Sequence, residues 1–135
     1  MRQPKGRQPE NMSPPSPITI LVADDNDASR LITKWFLASF DYVIESARTA
    51  EEALSRFDPA RHRLVITDNC MPGMSGVEMA QAIKARSPST PILMYSANPP
   101  EDCPFLDGVI QKPAHLLDVK DAVDRLLAAG PPPGQ

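Results

Sequence analysis

Residues 64–76 read LVITDNCMPGMSG: three apolar residues and a β-branched threonine, then a carboxylate, then a loop rich in Pro and Gly. A short, almost continuous hydrophobic run has no polar face, which suits a strand of a parallel sheet covered on both sides. The same pattern occurs twice more. Ile18 to Ala23 (ITILVA) runs into Asp24 and Asp25, and Ile92 to Tyr95 (ILMY) runs into Ser96. Weaker runs at Tyr42 to Ser46 and Gly108 to Gln111 read as strands nearer the sheet edges. Between these runs lie helical patterns, and strands alternating with helices predict an α/β domain with crossover connections.

The helices show as stripes and punctuation. Ala28, Leu31, Ile32, Trp35 and Phe36 recur at helical spacing, so Trp35 is expected in the core. Thr49 with Glu52 three residues on reads as a capping box, followed by Ala50, Ala53, Leu54 and Phe57 on one side, and Asp58-Pro59 ends that helix. From about Ser75 to Arg86, Val77, Ala80 and Ile83 point inward before Ser87-Pro88. The last helix, about Ala114 to Ala129, is expected to bury Leu116, Val119, Val123, Leu126 and Leu127 before Gly130-Pro131. Where a further crossover helix belongs, Asn98-Pro99-Pro100-Glu101-Asp102-Cys103-Pro104 carries three prolines, which forbid a regular helix interior. A loop or single turn is expected there, making five strands and four helices.

Length and composition bound the rest. A chain of 135 residues builds one ordinary domain, here 18–129. Five of its 16 prolines fall in 1–17 and three in 131–133; the first stretch lacks any hydrophobic period and reads as a disordered tail, as does 130–135. Neither an apolar signal segment nor a membrane-length run is present, so a cytoplasmic protein without membrane contact is expected. Cys70 and Cys103 are too few for a disulfide scaffold, and a net charge of −3 gives no general attraction to nucleic acid. His62, between Arg61 and Arg63, reads as solvated on a connecting loop, and His115 as the start of the last helix; neither is a site candidate.

Ligands of open parallel sheets bind beyond the carboxyl ends of the strands. At those ends stand Asp24 and Asp25, Asp68, Ser96 and Lys112. Singly, an acidic residue after a strand is often only a helix cap and a loop Lys or Ser only a solvated group. Together, at four strand ends, they describe one rim. Three carboxylates within roughly 4 to 5 Å repel by several kcal/mol per pair at an effective dielectric near 20, so a cation belongs there. All-oxygen ligands favour Mg2+, with Mn2+ a plausible substitute.

These residues carry a resemblance. The acidic pair Asp24-Asp25, the segment DNCMPGMSG from Asp68, Ser96-Ala97 and Lys112-Pro113 are similar, in order and in spacing from Asp24 through Ser96, to the receiver domain of bacterial two-component response regulators. The resemblance implies a flavodoxin-like, doubly wound, five-stranded parallel sheet of order 2-1-3-4-5 with helices on both faces. It implies that Asp68 is the phosphoacceptor, taking a phosphoryl group from a sensor histidine kinase or histidine phosphotransfer protein. Asp25 and Asp68 would ligate Mg2+ directly, Asp24 through water, and the backbone carbonyl of Cys70 would complete the protein ligands. Lys112 and Ser96 would contact the phosphoryl oxygens, and Lys112-Pro113 would be joined by a cis peptide. Such a domain catalyses only its own phosphorylation and dephosphorylation and is no turnover enzyme.

The pattern also departs from the family. Lys112 follows Ser96 by 16 residues, several fewer than usual, so the fourth helix of the family is short or absent. The aromatic that the family places three residues before the lysine is Val109 here. Phe105 is expected to fill the gap left by the missing helix, and Tyr95 to point away from the site if Ser96 points in. The runner-up reading is a degenerate receiver acting as a phosphorylation-independent interaction module. A Mg2+-dependent phosphatase ranks lower, since Cys70 stands where a second Asp would be needed. Cys70 itself is read as tuning water access rather than as a redox sensor. With six residues after Ala129, output through another, unidentified protein is expected.

Overall fold

A computed structural model describes residues 17–129. The tails read at 1–17 and 130–135 lie, Pro17 apart, outside the described residues. In chain order the elements are β1 (Thr19–Ala23), α1 (Asp27–Ala38), β2 (Val43–Ala47), α2 (Ala50–Arg56), β3 (His62–Thr67), α3 (Gly76–Arg86), β4 (Ile92–Ser96), β5 (Gly108–Gln111) and α4 (Leu116–Ala129). All strand pairs are parallel and the sheet order is β2-β1-β3-β4-β5. The five strands, the four helices and the missing crossover helix are as read from the sequence. None of the described helices is long and apolar enough to cross a membrane.

Alternation along the strands splits the core into two layers. Leu21, Ala23, Val65 and Ile92 face α2 and α3, meeting Ala53, Phe57, Met79, Ala80 and Ile83. Ile20, Val22, Leu64, Ile66, Leu93 and Tyr95 face α1 and α4, meeting Leu37, Val119, Ala122 and Val123. In α3 the inward residue missed by the sequence reading is Met79, fully buried, whereas Val77 is only half-buried. Ser75 and Glu78 form a reciprocal capping box at the start of α3. At α2 only half of that device forms: Thr49 Oγ1 accepts from Glu52 N, but Glu52 Oε1 accepts from Arg48 N.

Two sequence expectations are overturned. Trp35 is not core: it is 65% exposed, with Ile32 at 49% and Leu31 at 39%, while Thr33 and Leu37 are the buried residues of α1. Of that stripe Ala28, Leu31, Ile32 and Trp35 face solvent, while Phe36 is half-buried against the core. Asn26 Oδ1 caps Ser29 N, Arg30 donates to the Asp24 carbonyl at 3.0 Å, and the line through Thr33 and Leu37 faces inward. His62 is not solvated either. It opens β3, is 1% exposed, accepts from Asp58 N at Nδ1 (3.0 Å) and faces Glu45 Oε1 at Nε2 (2.9 Å). Because Nδ1 accepts, Nε2 carries the proton of the neutral ring. Burial, then the Arg61 charge, hold its pKa below the usual 6.5 against the opposing pull of Asp58. Polar satisfaction, invisible in a one-dimensional pattern, made this histidine interior.

The shortened connection from β4 to β5 is closed by Asp107, whose Oδ2 accepts from both Lys84 Nζ and Ile92 N at 2.8 Å. Phe105 and Leu106 pack on the α2/α3 layer, as expected for Phe105. On the other layer, Tyr42 donates its hydroxyl to Asp124 Oδ1 at 2.5 Å, tying the entry of β2 to α4. Burial and that carboxylate raise the Tyr42 pKa to about 12.

Candidate functional site

Parallel register brings the carboxyl ends of β1, β3, β4 and β5 to one rim. Backbone bonds lock the turns that leave it: Asp68 N donates to Ala23 O, Asp24 N to Ala47 O and Lys112 N to Ser96 O. Gly76 is required here, since a Cβ at that position would lie 2.0 Å from the Asp68 carbonyl oxygen. Gly73 has φ of +77°, a conformation natural to glycine, beside Glu51, which accepts from Met74 N.

Asp24, Asp25 and Asp68 each offer an oxygen, and the three lie within 4.8 Å of one another. Asp24 is buried, Asp68 half-buried and Asp25 exposed. Asp24 Oδ1 accepts from Asn26 N, and Asp68 Oδ1 from Asn69 N. Lys112 brings the compensating charge: its Nζ lies 3.1 Å from Asp24 Oδ2 and 4.0 Å from Asp68 Oδ2. The Lys112-Pro113 peptide is cis, as the resemblance implied. Three carboxylates against one ammonium leave the rim short of positive charge, and a donor set of oxygens without imidazole or thiolate fits a hard divalent cation. The open cleft above is lined by Asp25, Asn26, Ser29, Asp68, Ala97 and Lys112.

Of the residues singled out in the sequence, the structure therefore brings Asp24, Asp25, Asp68 and Lys112 together. Ser96 sits at the adjoining strand end, 1% exposed, with its Oγ accepting from Asn98 N at 3.1 Å, and it is not among the residues lining the cleft. Cys70 is exposed on the loop two residues past Asp68. Val109, in the position of the family's aromatic, faces outward on β5 at 49% exposure.

Sequence reasoning missed three polar supports. Ser29 Oγ accepts from Lys112 Nζ at 2.8 Å, Arg30 holds the Asp24 carbonyl, and Asn69 links two loops. The Asn69 side chain donates from Nδ2 to Asn98 O and accepts at Oδ1 from Val77 N, while its carbonyl accepts from Gly76 N. Adjacency to Asp68 was the available signal for Asn69; nothing in the periodicity marked Ser29.

Comparison with known proteins agrees with this arrangement. The chain is 29% identical over 116 residues to the response regulator receiver protein CpdR of Brucella abortus, covering 82% of this chain and 96% of that protein. It is 33% identical over 94 residues to the sensor protein EvgS of Escherichia coli, of whose length it spans only 8%. Among solved structures, the response regulator TrrA of Thermotoga maritima in complex with Mg2+ and BeF superposes with a TM-score of 0.76 at 32% identity, covering 81% of this chain and 98% of TrrA. A CheY-like receiver domain protein of Methanospirillum hungatei gives a TM-score of 0.79 at 26% identity, over 84% and 96% of the two chains. Residues 20–124 match the response regulator receiver domain. The match spans most of the described fold and includes all four groups that meet at the rim: this chain belongs to the response regulator receiver domain family.

Proposed function

We propose that this domain takes a phosphoryl group from a phosphohistidine onto Asp68 and passes the signal on by protein–protein contact. The observation that carries this reading is the meeting of three carboxylate oxygens within 4.8 Å beside the Lys112 ammonium. Asp25 and Asp68, with Asp24 and the backbone carbonyl of Cys70, would hold Mg2+, which when bound neutralises the carboxylates and the incoming anion. TrrA, the relative solved with Mg2+ and BeF, supports that choice of ion.

The chain's own residues do the rest. An ionised carboxylate needs no general base. Asp68 Oδ1 is held by Asn69 N, so Oδ2, on the Lys112 side, is the less committed oxygen. Its attack on phosphorus breaks the phosphorus–nitrogen bond of the donor, and the departing imidazole takes a proton from solvent. Lys112 balances charge on the phosphoryl oxygens in a transition state where positioning and electrostatics dominate. Ser96 Oγ accepts from Asn98 N and keeps its own proton to donate to a phosphoryl oxygen, so a movement of Ser96 toward those oxygens would pull on a loop also held by Asn69. That coupling would carry the state of Asp68 into residues 97–107. Beryllofluoride with Mg2+ should then change amide exchange across that loop, and an unchanged loop would count against this route. The domain is not a turnover enzyme.

The partner is a histidine kinase or a histidine phosphotransfer protein; TrrA has itself been solved in complex with the histidine kinase ThkA. The solvent-facing stripe Leu31, Ile32 and Trp35, running down α1 from the rim, supplies the apolar anchor such a contact needs. Exposed Val109 and the absent crossover helix favour a second reading, an interaction module that does not depend on phosphorylation. The deciding experiment is incubation with acetyl phosphate and Mg2+, followed by intact-protein mass measurement. One phosphoryl group is expected on the native chain and none on Asp68→Asn; equal labelling of that variant overturns the assignment.

A further inference from the structure

Lys112 sits in a holding site that its acidic neighbours do not account for. Its Nζ lies 4.8 Å from the centroid of the Tyr95 ring, donates to Ser29 Oγ at 2.8 Å and reaches Asp24 Oδ2 at 3.1 Å. Tyr95 and Ser96 are neighbours on β4 and so face opposite sides of the sheet. Tyr95 packs into the α1/α4 layer at 9% exposure, yet it does not point away from the site as the sequence suggested, for the face of its ring meets the lysine at the top of that layer. Ser29 is fixed independently, because its own N–H is held by the N-cap Asn26.

From this arrangement we infer that Tyr95 and Ser29 are positioning residues for Lys112, a ring face and a hydroxyl that hold its ammonium at the rim. An ammonium at the end of a flexible four-carbon stem has many rotamers, most of which leave the cleft. A ring face attracts the cation without neutralising it, and a hydroxyl accepts one N–H without carrying charge. Both therefore hold Lys112 while leaving its positive charge available to an anion. Asp24 alone could not do so, since a full ion pair competes with a phosphoryl oxygen for the same charge. The phosphorylation arm of the test rests on the function proposed above; the spectroscopic arm does not.

Replacing Tyr95 by Leu keeps apolar bulk and removes the ring face, and Ser29→Ala removes the hydroxyl from a site outside the core. Each is expected to lower the rate of phosphorylation by acetyl phosphate at saturating Mg2+ by about three- to tenfold. Tyr95→Phe, which keeps the ring, should restore the rate to within about twofold, an order expected when the π face rather than the hydroxyl attracts the cation. In the spectroscopic arm, the ring current of Tyr95 should shift the ε-protons of Lys112 upfield in the native chain and in Tyr95→Phe, and the shift should vanish in Tyr95→Leu. If Tyr95→Leu does not fold, Ser29→Ala with the same two readings decides the case, its ε-proton shift being expected to shrink. Native rates in both Tyr95→Leu and Ser29→Ala, or an ε-proton shift that none of these changes moves, would overturn the inference. A native chain that takes up no phosphoryl group but loses the shift in Tyr95→Leu overturns the phosphoacceptor reading and leaves the holding site standing.

Discussion

Both ends of the sheet collect charged side chains, and they use them in opposite ways. At the amino end, His62, Glu45 and Arg61 satisfy one another: Glu45 pairs with Arg61 through one oxygen and with His62 through the other. At the carboxyl end, three carboxylates meet beside one lysine, which pairs with Asp24 and Asp68 only; Asp25 has no hydrogen-bond or ion-pair partner among the described residues. The first cluster is finished, and adds to the stability of the fold. The second is left with an electrostatic deficit that the proposed Mg2+ would offset. Clustered charge alone does not mark a site; a cluster that the chain leaves uncompensated does.

This contrast can be broken in several ways. The largest effect is expected at the loop that closes the acidic end. In Gly76→Ala a Cβ would collide with the Asp68 carbonyl, so the variant should lose about 3 kcal/mol or more by urea unfolding. At the other end, His62→Ala removes a fully buried ring stacked on Phe57 and strands its partners; a loss of about 2 to 3 kcal/mol is expected in the same measurement.

The two ends should next differ in sign. Asp25→Asn relieves repulsion among the three carboxylates and is expected to raise stability by about 1 kcal/mol without divalent ion, while removing the rise in Tm expected on adding Mg2+ to the native chain. Glu45→Gln should instead destabilise, since it discharges a paired group. Equal signs for the two variants would remove the distinction between a finished and an unfinished cluster.

The smallest effect concerns pH. His62 has a folded pKa below 6.5, so the folded state binds fewer protons than the unfolded chain through that window. Its contribution is complete above the unfolded value and is lost as pH falls toward the folded one. The native chain should therefore lose stability on acidification below 6.5 more steeply than His62→Gln, and parallel slopes would show that burial does not hold the ring neutral.

Much of this molecule was legible without coordinates. The hydrophobic runs and the residues that end them are local features, and a parallel sheet necessarily gathers strand ends at one rim; that is why Asp24, Asp25, Asp68 and Lys112 could be named together. The prolines between Asn98 and Pro104 ruled out a helix by covalent geometry alone. What failed was orientation. The stripe on α1 has the period of a core face, but period carries no direction, and in the fold Thr33 and Leu37 are buried while Leu31, Ile32 and Trp35 face solvent. His62 between two arginines has the composition of a loop, and only the Asp58 amide and the Glu45 carboxylate, met through the turn and across the sheet, make burial tolerable. The chain thus carries its elements and its reactive groups in short-range pattern. Which way a helix faces, and which polar groups find partners, depends on atoms far apart in sequence, and those choices belong to the folded structure alone.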